Sequence, residues 1–250
     1  MSSSIWTQCA GRTRVRALAG EAWRVVEPQH LVSTRKLVDS DAEQQVLEEL
    51  IESTKPPLSD GRLHFLLTTP FRYPPLRYGS RFGTRAQRGI WYGSVAQRTA
   101  FAETAYYRLL FLEGTRAALG PLLVELSAFR ASFRDDQGVD LAALPFAEFR
   151  DRISSPDSYR ESQRLGYEMR EAGVHVFRYW SARDRQGGLN VGLFTPRAFA
   201  SRKPSVPETW SCVVAREGVE MTKKDVFARA SFRFAREEFE VGGRLPAPAP

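Results

Sequence analysis

The chain has 250 residues, 42% hydrophobic and 26% charged, enough for one globular domain to bury a core without staples. Two cysteines, Cys9 and Cys212, are too few for a disulfide framework and have no metal-ligand spacing, which points to a reducing compartment. The net charge of +7 points to an anionic partner: nucleic acid, an acidic protein or a phosphate-bearing small molecule.

Residues 1–15 are polar and basic and are expected to form a flexible N-terminus. They contain no apolar signal segment, and no run reaches membrane-spanning length, so a cytoplasmic protein without membrane contact is expected. Ala22-Trp23-Arg24-Val25-Val26 reads as a first strand. Ser40 and Glu43 form a capping box for a helix reaching about Thr54, stopped by Pro56-Pro57. His64-Phe65-Leu66-Leu67 reads as a short strand or buried run, and 68–83, rich in Pro, Arg, Tyr and Gly, as an ordered loop. Gly89 to Ser94 is a compact strand. A helix from about Gln97 to Glu113 carries Phe101, Ala105, Leu109 and Leu112 on one stripe and closes at Gly114.

Leu122 to Ser127 is a strand, and 128–157 are mixed. Ser158 with Glu161 caps a further helix ending at Gly173. Val174–Tyr179 and Leu189–Phe194 are strands joined by a turn at Gly187-Gly188, and Trp210–Ala215, Val219–Met221 and Ser231–Phe234 are three more. The expected fold class is α+β, with mixed, mostly antiparallel sheets and flanking helices. Residues 16–241 are read as a single domain, and 242–250 as a disordered Pro/Ala tail.

Several chemistries lack their residues. There is no G-x-G-x-x-G, P-loop, H-E-x-x-H, G-x-S-x-G or C-x-x-C, and His30, His64 and His175 have no metal-ligand spacing, so no metal is expected. Residues 71–108 carry the positive signal. Arg72, Arg77, Arg81, Arg85 and Arg88 alternate with Phe71, Tyr73, Tyr78, Phe82, Trp91 and Tyr92, and Glu103 follows on a helix. Guanidinium forks match phosphate oxygens two at a time, and rings stack on bases, so the pattern suits an anionic, flat ligand. Gly79 and Gly83 permit close backbone approach around Arg81. Taken singly, Arg77, Arg85 and Arg88 read as solvated surface charges.

Gly79-Ser80-Arg81-Phe82, Trp91-Tyr92-Gly93-Ser94 and Thr99-Ala100-Phe101-Ala102-Glu103 together resemble the central motif of the RES domain. Arg81 and Tyr92 are 11 residues apart, as are Tyr92 and Glu103. Tyr179-Trp180-Ser181-Ala182-Arg183 followed by Asn190-Val191-Gly192-Leu193-Phe194 resembles the family's serine-containing strand pair, and Ser162-Gln163-Arg164-Leu165-Gly166 is similar to a further segment of it.

The resemblance implies an ADP-ribosyltransferase-like cleft that binds NAD⁺ as substrate and degrades it by phosphorolysis or hydrolysis, with inorganic phosphate as a candidate co-substrate. It also implies the toxin half of a bacterial toxin–antitoxin pair, with a cognate antitoxin protein as partner. A homo-oligomer is compatible with it. By position in the motif, Glu103 is the helix carboxylate that stabilises the ribosyl cation, Arg81 a diphosphate ligand, Tyr92 the ring beside the nicotinamide and Ser181 the serine that bonds ribose or phosphate. The family's first arginine falls on Arg24 or Arg72, with Arg24 favoured, and Arg183 is a spare cation for phosphate. Three other readings remain open at this point: ADP-ribosyl transfer to a macromolecule, a non-enzymatic nucleic-acid-binding module, and an inactive RES-like scaffold. The second is disfavoured because no recognition helix or basic region is present.

Overall fold

The computed structural model describes residues 3–27, 40, 42, 43, 46, 47, 50, 62–73, 78–115, 119–225 and 227–247. Among them, eight strands form one sheet: β1 (Arg16–Val26), β2 (Trp91–Ser94), β3 (Leu122–Asp140), β4 (Val176–Trp180), β5 (Leu189–Leu193), β6 (Glu208–Ala215), β7 (Gly218–Lys223) and β8 (Ser231–Ala235). Their order is β1-β2-β5-β4-β3-β6-β7-β8, and β1 also pairs with β3. That extra pairing closes β1, β2, β5, β4 and β3 into a ring, from which β6, β7 and β8 extend. Only β3 and β4 run parallel; the other pairs are antiparallel. The α+β class and the antiparallel bias follow the sequence, with one sheet in place of several.

Strand β3 holds this together. It is 19 residues long and meets three partners in succession: β6 through Leu122–Ala128, β1 through Ser127–Gly138 and β4 through Gly138–Asp140. Its middle alternates with period two, Phe129, Ala131 and Phe133 buried and Arg130 and Arg134 exposed.

The helices cover this sheet. Besides α1 (Ile5–Gln8), α2 (Phe65–Arg72) and α4 (Arg150–Ile153), two long ones bear on the site: α3 (Gln97–Glu113) and α5 (Arg160–Glu171). Helix α3 has the predicted bounds, and Gly114 N caps it by donating to Leu110 O at 3.1 Å. Its stripe of Phe101, Ala105, Leu109 and Leu112 packs on Trp210, Cys212, Met221 and Phe234. Burying a side chain such as Phe101 or Leu109 contributes about 1.5–3 kcal/mol each. Helix α5 starts at Arg160, with Ser158 Oγ accepting from Arg160 N at 3.3 Å rather than capping a longer helix.

Four expectations are corrected. Residues 3–15 are not a loose end: Ser4 Oγ caps α1 by accepting from Thr7 N, and Ile5, Trp6 and Cys9 are buried in a core cluster with Phe146 and Met169. The polar majority of the segment hid two large apolar anchors. His64 to Leu67 do not form a strand; His64 caps α2, whose Leu67 and Thr68 are buried, because a short apolar run fits a buried helical turn equally well. Residues 68–72, the start of the expected loop, belong to the same helix, which carries Pro70 inside it at the cost of the N–H that would donate one turn back. The tail begins ordered: Val241 and Arg244 pair, Leu245 is buried, and Tyr106 Oη donates to Pro246 O. Residues 248–250 lie outside the described residues, as does most of the helix predicted over 40–54, although Glu43 N does donate to Ser40 Oγ at 3.2 Å.

Candidate active site

The loop before β2 is shaped by small residues. Gly79 has φ +74°, and a Cβ there would lie 2.4 Å from Gly83 O. Ser80 and Gly83 exchange backbone hydrogen bonds of 2.7 and 3.3 Å. Helix α5 holds the loop from outside: Gln163 Nε2 donates to Tyr78 O at 3.0 Å and Ser80 O at 3.1 Å, and Gly166 lets Phe82 O come where a Cβ would be 2.1 Å away. The serine-glutamine segment noted in the sequence is therefore a support for the Arg81 loop.

Arg81, 8% exposed, donates from Nη1 to Ser155 O at 2.8 Å, and its guanidinium sits 5.0 Å from the Tyr159 ring centre. Arg24 reaches from β1 to β2, donating from Nη1 to Tyr92 O at 2.6 Å beside the Trp91 ring. The two strands meet at a single register pair, Trp23 with Ser94, so Arg24 spans the gap where they part. Its buried Nε has no hydrogen-bond partner, and burial pushes the guanidinium down to about 10. Among the described residues neither Arg24 nor Arg81 pairs with a carboxylate. Two cations held by carbonyls and rings alone keep their charge available for an anion.

Tyr92 Oη lies 3.0 Å from Ser80 Oγ and accepts from Phe82 N at 3.1 Å. Burial pushes its phenol up to about 12, so it stays neutral.

Glu103 lies near the start of α3. Its Oε1 accepts from Ser181 Oγ at 2.7 Å and from Asn190 Nδ2 at 2.6 Å. Ser181, at the end of β4, accepts in turn from Arg183 N at 3.0 Å and Asp184 N at 3.1 Å. The 181–188 loop is docked on the start of α3, where Asp184 accepts from Thr99 Oγ1 at 2.7 Å and pairs with Arg98.

Arg24, Arg81, Tyr92 and Glu103 line one cleft of about 320 Å³, together with Trp23, Ser94, Tyr107, Tyr159, Tyr179 and Asn190. The size and the mixed aromatic and charged walls suit a nucleotide-like ligand. Ser181 is not among the residues lining it and meets the cleft through its hydrogen bond to Glu103. Arg72, half-buried on α2, is not in the lining, which leaves Arg24 as the arginine that shares the cleft with Arg81. Arg183 is buried, stacked 3.6 Å from the Tyr106 ring centre with Nη2 donating to Pro156 O, and also lies outside the cleft. Arg85 and Arg88 are exposed, and Arg77 falls outside the described residues.

Sequence reasoning missed Asn190, Tyr107 and Tyr159. Tyr107 was accessible in principle, because it follows Glu103 by four residues and shares its helix face. Tyr159 carried no such signal. Among the described residues no group of His, Cys, Asp and Glu could hold a metal ion, and no helix is long and apolar enough to cross a membrane.

No curated protein matches the chain. The family model of the RES domain matches residues 59–215, which covers β2 to β6, the Arg81 loop, Glu103, Ser181 and Asn190 but not Arg24. The chain belongs to the RES domain family.

Proposed function

We propose that the protein cleaves the nicotinamide–ribose bond of NAD⁺. The observation that carries this reading is the clamped acid: Glu103 has Oε1 held by Ser181 and Asn190 in a cleft that also bears two arginines without carboxylate partners among the described residues. Breaking the glycosidic bond builds positive charge at the anomeric carbon while nicotinamide departs with the bonding pair. A fixed carboxylate beside that carbon stabilises the cation in proportion to its preorganisation, commonly a hundredfold or more in rate. Arg24 and Arg81 neutralise the diphosphate, and Tyr92 borders the nicotinamide. Water adds to the ribosyl cation to give ADP-ribose and a proton; inorganic phosphate adds to give the 1-phosphate.

The direct test is to incubate the purified chain with NAD⁺, with and without phosphate, and to follow free nicotinamide and the ribosyl product. Release of nicotinamide, cut by about a hundredfold or more in Glu103→Gln, is expected. Intact NAD⁺ after prolonged incubation with folded protein overturns the reading. Labelled ADP-ribose appearing on protein or nucleic acid would instead favour transfer. The same reading makes the chain a toxin restrained by an antitoxin protein. Expression without such a partner is then expected to deplete cellular NAD⁺ and arrest growth, and Glu103→Gln to do neither.

A further inference from the structure

We infer that Asn190, with its amide direction set by Ser94, is a positioning residue that determines which oxygen of Glu103 faces the ligand. The inference rests on the proposed NAD⁺ cleavage for its kinetic consequence, but its structural basis is independent of the substrate.

Ser94 and Asn190 are direct cross-strand partners on β2 and β5, exposed by only 2% and 3%. Ser94 Oγ donates to Asn190 Oδ1 at 2.6 Å. An amide whose oxygen is engaged on that side must turn its NH₂ the other way, and Nδ2 donates to Glu103 Oε1. Ser181 is directed in the same manner. Its oxygen accepts two backbone N–H groups, so its one hydrogen goes to Glu103 Oε1. Both donors converge on one carboxylate oxygen. Among the described residues Oε2 has no hydrogen-bond partner.

The clamp also answers an electrostatic problem. A glutamate on three rotatable bonds, sharing a cleft with Arg24 and Arg81, would otherwise lower its energy by swinging onto one of them. Such an ion pair would cancel the two charges that the ligand needs separately. Asn190 and Ser181 hold the acid off both arginines, and no ion pair joins them. A carboxylate placed this way depends on its supporting shell, because a small misplacement costs rate without removing any reacting group.

The test uses Ser94→Ala, Asn190→Ala, their double variant and the isosteric Asn190→Asp, each checked by thermal unfolding. With NAD⁺ as probe, Asn190→Ala is expected to lower kcat tenfold or more while KM changes less than threefold, since the loss falls on the transition state. Ser94→Ala alone should lose threefold or more, yet add nothing in the Asn190→Ala background, because it acts only through the amide. Asn190→Asp keeps the shape, lacks the donor and faces Glu103 with a second carboxylate, so it should be at least as impaired. A kcat within twofold of wild type in both Asn190 variants, or losses that multiply in the double variant, overturns the inference while leaving NAD⁺ cleavage intact. If the wild-type chain leaves NAD⁺ whole, the proposed function fails separately. Crystal structures of Asn190→Ala and wild type then decide the inference. Displacement of the Glu103 carboxylate toward Arg24 or Arg81 supports it, and a carboxylate unmoved beside Ser181 overturns it.

Discussion

The hydroxyls of Tyr107 and Tyr159 lie 3.1 Å apart, joining α3 to the segment that leads into α5, and both rings line the cleft. Arg81 stacks on the far partner of this pair, while Tyr107 leaves 54% of its surface open to solvent. An exposed ring one helical turn beyond Glu103 is placed to stack on a flat ligand group, and such stacking contributes about 0.5–1.5 kcal/mol beyond the area buried. Tyr107→Ala is therefore expected to raise KM for NAD⁺ roughly three- to tenfold with kcat little changed. Tyr107→Phe, which keeps the ring, should stay near wild type. Steady-state kinetics at fixed pH separates the two outcomes.

Arg24 and Arg72 divide cleanly by position, one in the cleft and the other outside its lining. Arg24→Ala is expected to lower kcat/KM for NAD⁺ by about tenfold to a hundredfold, the effect of removing a charge-assisted contact of about 1.5–3 kcal/mol. Arg72→Ala should remain within threefold. Equal losses in the two variants would contradict the placement of the diphosphate beside Arg24.

Gly166 is pressed against the backbone of the Arg81 loop, with a virtual Cβ 2.1 Å from Phe82 O. Neither α5 nor a backbone carbonyl yields as a side-chain tip would. Gly166→Ala is expected to cost about 1–3 kcal/mol in urea unfolding, and to reduce turnover further by moving Arg81. A variant as stable and active as wild type would show that the loop gives way easily.

The phenol of Tyr92 is pushed up to about 12 by burial, from an ordinary value of 10.0. The unfolded chain therefore gives up this proton first as pH rises. Its contribution to stability is complete below pH 10, and is lost progressively between pH 10 and 12, by up to about 2–3 kcal/mol at 1.36 kcal/mol per unit. Tyr92→Phe removes that contribution. The stability difference between wild type and variant should narrow by that amount across the window and stay constant below it. Comparing the two chains cancels the opposite trend of Arg24, whose depressed value makes its burial less costly as pH climbs toward 12. A gap that does not narrow would mean that Tyr92 is not desolvated.

Local signals carried much of the fold. Helix α3 was legible to the residue because its apolar stripe repeats at helical spacing and Gly114 ends it, and the short strands from β4 to β8 announce themselves by β-branched and aromatic runs between turns. The long continuation of β3 was present as alternation through Phe129, Ala131 and Phe133, but basic residues on its open face disguised it. Within the site, Arg81, Tyr92 and Glu103 were legible through motif spacing. Ser181 was singled out by its motif, but its bond to Glu103 was not, since nothing local shows which side chain a serine will meet. Asn190 and Tyr159 become informative only when β5 and the approach to α5 are brought against α3, and that is a property of the assembled sheet.

The closed ring of strands has a consequence for how the chain comes into being on the ribosome. Arg24 is made among the first residues, yet its strand has no long partner until the middle of β3, a hundred residues later, has been synthesised. Glu103 then waits for Ser181 and Asn190. Contacts so distant along the chain make for slow, late assembly. A nascent chain shorter than about 190 residues therefore carries Glu103 without its full pair of side-chain donors, and the cleft is complete only once β5 has been synthesised.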